Sequence, residues 1–142
     1  EHLPIANLTQ SLAWSWHYPE HRFDAIVVGG PLIDHQRNLY VAAENAIHKF
    51  DPNGSPLWTY RPAADIVQVP SLMGDKLYGS AHDATVYCLD IYTGKEVWAR
   101  KLSKNTGHDT AYVEAYDGVV VVGVEQGSNP VMIGGNNRIL GL

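Results

Sequence analysis

The sequence of 142 residues contains a single cysteine, Cys88. One cysteine cannot form an internal disulfide, and it excludes a pair of adjacent cysteines, so the redox compartment stays open. Stability must therefore come from a packed core. A content of 45% apolar and 18% charged residues is typical of a globular chain that is long enough to build one.

Long apolar runs and concentrated positive charge are also missing. The longest apolar stretch, "VVVVGV" at Val119–Val124, has the length of a strand, and no run reaches the ~18 residues of a membrane span. We therefore expect no transmembrane segment. The net charge is −5 and the 10 Lys and Arg residues are scattered. Nucleic acids and anionic lipids are bound through clustered positive charge, so we expect no nucleic-acid partner.

Sustained helical periodicity is absent, and short strand-like runs separated by turns recur instead. The segments "SLAWSWHYP", "SPLWTYRP" and "KEVWARKL" align at Trp14, Trp58 and Trp98, with a period of about 40 residues. Residues 30–51 overlay residues 69–90, and a third copy starts at "VEAYDGVVVVGV". This pattern predicts a blade tail at 11–19 and repeats over about 24–62, 63–102 and 103–142.

Four short strands in a period of about 40 residues are typical of a propeller blade. We therefore predict an all-β fold, a partial β-propeller of about three four-stranded blades. The turns "DPNG" and "DIYTG" each end in a glycine at a position that favours positive φ.

The order Asp, turn, Gly, Trp occurs twice, in "HKFDPNGSPLW" and in "YCLDIYTGKEVW". A blade alone leaves both of its faces uncovered, so a large flat side chain at one fixed place can bridge to the next blade. One indole buries about 150–250 Å², and a turn glycine lets it approach closely. The predicted structural docking residues are Trp14, Trp58, Trp98, Gly54, Gly94, Asp51 and Asp90.

The second of these copies resembles the tryptophan-docking motif of quinoprotein (PQQ)-like β-propeller repeats. Asp90, Thr93, Gly94, Lys95 and Trp98 match that motif, and Cys88 stands where the family usually has alanine. The first copy departs further from it. Lys49 occupies its alanine position, the threonine is missing, and the spacing from Asp to Trp is one residue shorter.

The resemblance implies a ring of seven or eight blades, which about three blades cannot close. The chain stops one residue before the aspartate expected in the third copy. We therefore expect a segment of a longer protein, or a piece completed by other chains, with further blades or other subunits flanking both ends. The family resemblance suggests a secreted, periplasmic or organellar-lumen location, and the sequence itself leaves the compartment unknown.

Enzymes of this family bind pyrroloquinoline quinone (PQQ) on the propeller axis, with calcium held by Glu, Asn and Asp side chains. Many of them stack the quinone against a disulfide of adjacent cysteines, which this sequence lacks. No catalytic, cofactor-binding or metal-binding residue is assigned, and no cofactor is expected. The predicted function is a non-catalytic scaffold, interaction module or accessory subunit. The alternative, with PQQ and calcium, is part of a PQQ-dependent alcohol or sugar dehydrogenase.

Other polar features are interpreted as loops. His17 and His21 are four residues apart, but the intervening Pro19 prevents them from sharing one helical face. His108 and the following aspartate lie in a predicted linker. The insertion at 125–137 is either a functional loop or a tolerated surface excursion.

Overall fold

In the computed structural model, residues 14–16, 27–66, 68–102, 112–124 and 138–141 are described. Every regular element within these ranges is a β-strand. The strands are β1 Leu32–Ile33, β2 Leu39–Ala43, β3 Ala46–Phe50, β4 Pro56–Tyr60, β5 Ser71–Met73, β6 Lys76–Ser80, β7 Thr85–Asp90, β8 Glu96–Lys101, β9 Tyr112–Tyr116, β10 Val119–Val124 and β11 Arg138–Gly141.

The strands form three antiparallel sheets in chain order. Blade 1 has the order β1-β2-β3-β4, blade 2 has β5-β6-β7-β8, and blade 3 has β11-β10-β9. The predicted all-β, partial β-propeller fold is confirmed. The repeat boundaries predicted over the whole chain include residues outside the described ranges and stay a prediction. Within those ranges, no helix is long and apolar enough to cross a membrane.

Tight hairpins connect neighbouring strands because their residues accept positive φ. Glu44 and Asn45 join β2 to β3 with φ of 55° and 57°, and Asp117 and Gly118 join β9 to β10 with φ of 46° and 80°. Two successive positive φ values characterise the type I′ turn, whose twist matches that of antiparallel strands.

The core lies between the blades in two layers. The layer between blades 1 and 2 contains Tyr40, Ala42, Ile47, Ile66, Leu77, Tyr87, Leu89 and Ile91. The layer between blades 2 and 3 contains Ala84, Val86, Val113, Ala115, Val120 and Val122. Because side chains alternate along a strand, blade 2, the inner sheet of the three, can present one apolar face to each neighbour.

A β-bulge recurs beside the tryptophan of each complete blade. The register shifts between Lys49 and Phe50 in blade 1 and between Cys88 and Leu89 in blade 2. After each shift the tryptophan resumes the pairing, so Trp58 lies opposite Lys49 and Trp98 lies opposite Cys88. The two indoles therefore occupy equivalent positions on the outer strands.

Candidate interblade docking site

The turn that precedes each outer strand is folded by the side chain of its aspartate. Oδ1 of Asp51 accepts hydrogen bonds from the backbone N–H groups of Asn53 and Ser55, both at 2.8 Å. Oδ1 of Asp90 accepts from the backbone N–H of Thr93 and from its hydroxyl, both at 2.9 Å. These bonds to the Thr93 backbone and hydroxyl lower the pKa of Asp90 below its ordinary value. The aspartates thus form Asx-type turns.

The glycine of each turn is in contact with an indole from the preceding repeat. Gly54 has φ +85°, and a Cβ placed on it would lie 2.5 Å from Cδ2 of Trp14. Gly94 has φ +68°, and a Cβ there would lie 2.6 Å from Cδ2 of Trp58. Only glycine combines this backbone conformation with so close an approach. Trp14 and Trp58 therefore each pack on the turn of the next blade.

Trp58 also makes a polar contact with that turn. Its Nε1–H donates to the carbonyl oxygen of Ile91 at 2.9 Å, and its ring packs edge-on against Tyr40 with centroids 5.8 Å apart. The apolar part of a half-buried indole is removed from water, and the hydrogen bond from its N–H fixes the orientation of the ring. The contact joins blade 1 to blade 2 at their outer rim.

A second N-terminal tryptophan, not singled out from the sequence, packs beside Trp14. Both Trp14 and Trp16 lie 5.8 Å from the ring of Phe50, and Trp16 lies 5.2 Å from the ring of His48. The two-residue spacing of Trp14 and Trp16 could have indicated this packing, since residues i and i+2 lie on the same face of an extended chain. Of the predicted tail 11–19, only residues 14–16 are described.

The third predicted docking residue, Trp98, is half-buried and lies 6.2 Å from the ring of Tyr78. It packs at the margin of the apolar layer between blades 2 and 3. None of the glycines at positions 29, 30, 54, 74, 79, 94 and 118 lies against it. Its docking role stays a prediction. His17, His21, His108 and the insertion at 125–137 lie outside the described residues.

A buried polar network crosses the same joint between blades 1 and 2. Lys49 is 3% exposed, and its Nζ donates to the carbonyl oxygen of Ile91 at 2.7 Å and lies 3.7 Å from Oδ2 of Asp34. Burial lowers the pKa of Lys49, and the Asp34 carboxylate opposes this shift. The sequence placed Lys49 at a degenerate motif position and offered no signal for its burial.

Asp34 is the anionic end of this network. Burial raises its pKa, but hydrogen bonds from Asn38 and Tyr40 and the charge of Lys49 outweigh burial and hold the pKa below its ordinary value. The Tyr40 hydroxyl and Nδ2 of Asn38 each donate to Oδ2 at 2.9 Å. The carboxylate therefore stays ionised inside the joint.

A groove of about 410 Å³ lies on the face of blade 3 that points away from blade 2. Glu114, Tyr116, Val119 and Val121 line it, and Tyr116 is 84% exposed. In the described part of the chain, no group of three or more His, Cys, Asp or Glu side chains could hold a metal ion.

Blades that stack antiparallel sheets and seat a tryptophan on the next turn define a PQQ-like β-propeller repeat protein. The chain belongs to the family described as outer membrane protein assembly factor BamB, whose profile matches residues 5–137. The resemblance inferred from the docking motif is thereby confirmed. No curated protein matches the chain.

Solved structures share the fold. BamB from Moraxella catarrhalis is 22% identical with a TM-score of 0.58, over 72% of this chain and 32% of that one. A quinohemoprotein alcohol dehydrogenase from Comamonas testosteroni is 25% identical with a TM-score of 0.61, over 70% and 18%. A europium-containing methanol dehydrogenase is 21% identical with a TM-score of 0.65, over 82% and 23%. The chain spans at most about a third of these proteins.

Proposed function

We propose that this chain is a non-catalytic part of a PQQ-like β-propeller that serves as a scaffold or interaction module in a larger protein or complex. The observation that carries the proposal is that two of the indoles make contacts between blades. Trp58 packs on the Gly94 turn and donates a hydrogen bond to the Ile91 carbonyl, and Trp14 packs on the Gly54 turn. The family's description as an assembly factor supports a role in protein–protein contact.

The outward face of blade 3 supports the proposal that further blades or another subunit flank the chain. Met73 and Tyr78 of blade 2 pack against the inner side of blade 3. The opposite side of blade 3 presents Tyr116, Val119 and Val121 in the groove. An apolar face of this kind on a strand-rich surface favours association over exposure to water. In a repeat architecture the natural cover is another sheet of similar chemistry.

Site-specific photo-crosslinking in the native assembly tests this proposal. A benzoylphenylalanine at Tyr116 should crosslink in high yield to another blade or subunit. The matched control is Val97, which is 52% exposed on the outer strand of the middle blade and should crosslink weakly. Equal yields at the two positions would contradict a preferential partner on the end blade.

The second candidate function is part of a PQQ-dependent alcohol or sugar dehydrogenase, favoured by the likeness to the two dehydrogenase structures. The scaffold is supported over the enzyme because no group of three or more His, Cys, Asp or Glu side chains among the described residues could hold a metal ion and the sequence has no adjacent cysteines. Titration of the native protein with PQQ and calcium tests it. Saturable binding with alcohol or sugar oxidation would support the enzyme, and absence of both would support the scaffold.

A further inference from the structure

The joint between blades 1 and 2 contains a buried cation that reaches from one blade to the other. Lys49 belongs to β3 of blade 1, and Nζ binds the carbonyl oxygen of Ile91 in the turn of blade 2 at 2.7 Å. The ammonium lies 5.1 Å from the centroid of the Tyr40 ring and 5.8 Å from that of the Tyr92 ring. Aromatic faces attract a cation at such distances.

Two donors from blade 1 converge on one acceptor. Lys49 and Trp58 lie opposite each other on β3 and β4, and both donate to the Ile91 carbonyl, at 2.7 and 2.9 Å. A hydrogen bond from a charged donor is about twice as strong as one between neutral groups. The Lys49 bond is therefore the stronger of the two that hold the turn.

The charge has a preorganised counter-ion within blade 1. Asp34 accepts from the hydroxyl of Tyr40, from Nδ2 and the backbone N–H of Asn38, and from the backbone N–H of Gln36, each at 2.9 Å. Its Oδ2 lies 3.7 Å from Nζ of Lys49. A buried charge is tolerated when it is both paired and hydrogen-bonded.

The joint between blades 2 and 3 is built differently at the matching place. Cys88 takes the position of Lys49, opposite Trp98. The polar contacts from blade 3 are neutral: the backbone N–H of Ala115 donates to Oγ of Ser71 at 3.0 Å, and the backbone N–H of Gly118 donates to Sδ of Met73 at 3.1 Å. Within the described residues, the two joints thus share apolar packing, and the first joint alone contains a buried charged side chain.

We propose that Lys49 is a positioning residue that fixes the Asp90–Gly94 turn of blade 2 onto blade 1 through its paired contacts with Ile91 and Asp34. The buried charge therefore favours one position of the turn on blade 1, and this arrangement is called the electrostatic lock. The second joint, with Cys88 in place of the lysine, relies on apolar contact and neutral hydrogen bonds.

Amide hydrogen exchange on the native polypeptide tests the lock. Lys49→Met keeps the length of the side chain and removes the charge, so exchange of the turn amides at 90–95 should accelerate by about tenfold or more. Exchange in blade 3, at 112–124, should change by less than about twofold because it lies beyond the other joint. Lys49→Arg should keep the turn amides near their original protection. Cys88→Ala, the matched change in blade 2, should leave the 90–95 turn near its original protection.

The outcomes separate a lock from ordinary core packing. Equal acceleration in all blades, or no change in the turn, on Lys49→Met would overturn the proposal. So would an arginine variant as exposed to exchange as the methionine variant. If Lys49→Met does not fold, Asp34→Asn decides the matter. It keeps the shape and removes the counter-charge, and faster exchange confined to 90–95 supports the lock, whereas unchanged exchange there refutes it.

Discussion

Replacing Gly94 with alanine tests the docking contact at the place where the structure leaves no room. The new Cβ would lie 2.6, 2.8 and 2.9 Å from Cδ2, Cγ and Cε3 of Trp58. An L-residue in the left-handed region costs about 1–2 kcal/mol, and displacement of a packed side chain about 1–3 kcal/mol. Weakening the indole bond to Ile91 adds about 0.5–1.5 kcal/mol. We expect Gly94→Ala to lower the free energy of unfolding by about 3–5 kcal/mol.

Gly74 supplies a matched control for the conformational cost of placing an L-residue at positive φ. It has φ +60°, and a Cβ added to it meets no atom within 4 Å. Gly74→Ala should therefore lose only the conformational part, about 1–2 kcal/mol. Urea denaturation of the native protein, followed by circular dichroism, measures both variants. Equal losses would mean that the contact between Gly94 and Trp58 does not contribute, and would refute the docking argument.

Three further predictions follow from the same contacts. Trp58→Phe removes the donor to the Ile91 carbonyl while keeping a ring, so the free energy of unfolding should fall by about 1–2 kcal/mol; a fully additive effect with Gly94→Ala in a double-mutant cycle would contradict their contact. Tyr87→Phe should leave stability unchanged or raise it by up to about 1 kcal/mol in urea denaturation, because the buried Tyr87 hydroxyl has no hydrogen-bond partner in the described part of the chain; a clear loss would reveal a bound water or other partner. Asp34 has a folded pKa below its unfolded value, so its contribution is complete above about pH 4 and is lost as pH falls through the lower folded pKa; urea midpoints measured against pH should show a shallower acid loss for Asp34→Asn, and an unchanged acid loss would contradict the role of the carboxylate.

The repeated docking turn could be predicted from the sequence because its residues answer to local rules. A glycine after an Asp-led turn indicates positive φ, and Gly54 and Gly94 both adopt it. The regular spacing of tryptophans likewise indicated equivalent positions on the outer strands. These signals depend on local backbone conformation and on the period of the repeat, and both can be recognised in the sequence.

The polar interior of the first joint could not be predicted in the same way. Lys49 stands at a position where the motif usually has alanine, and a lone lysine in a strand is ordinarily solvent-exposed. Its burial depends on Asp34 and on Ile91, which lie 15 and 42 positions away along the chain. Such a network forms only when two blades pack together, so no local sequence pattern predicts it. The bulge beside each tryptophan is similarly a property of strand pairing.

Trp14, Trp58 and Trp98 should each pack on the turn of a following repeat, and the outer face of blade 3 should be covered in the native assembly. An experimental structure of that assembly tests this central claim most directly. The account predicts the Trp98 indole against a turn glycine of another repeat, in the geometry that joins Trp58 to Gly94, with Tyr116 buried under a neighbouring sheet. Trp98 and Tyr116 both facing solvent in the intact assembly would contradict it.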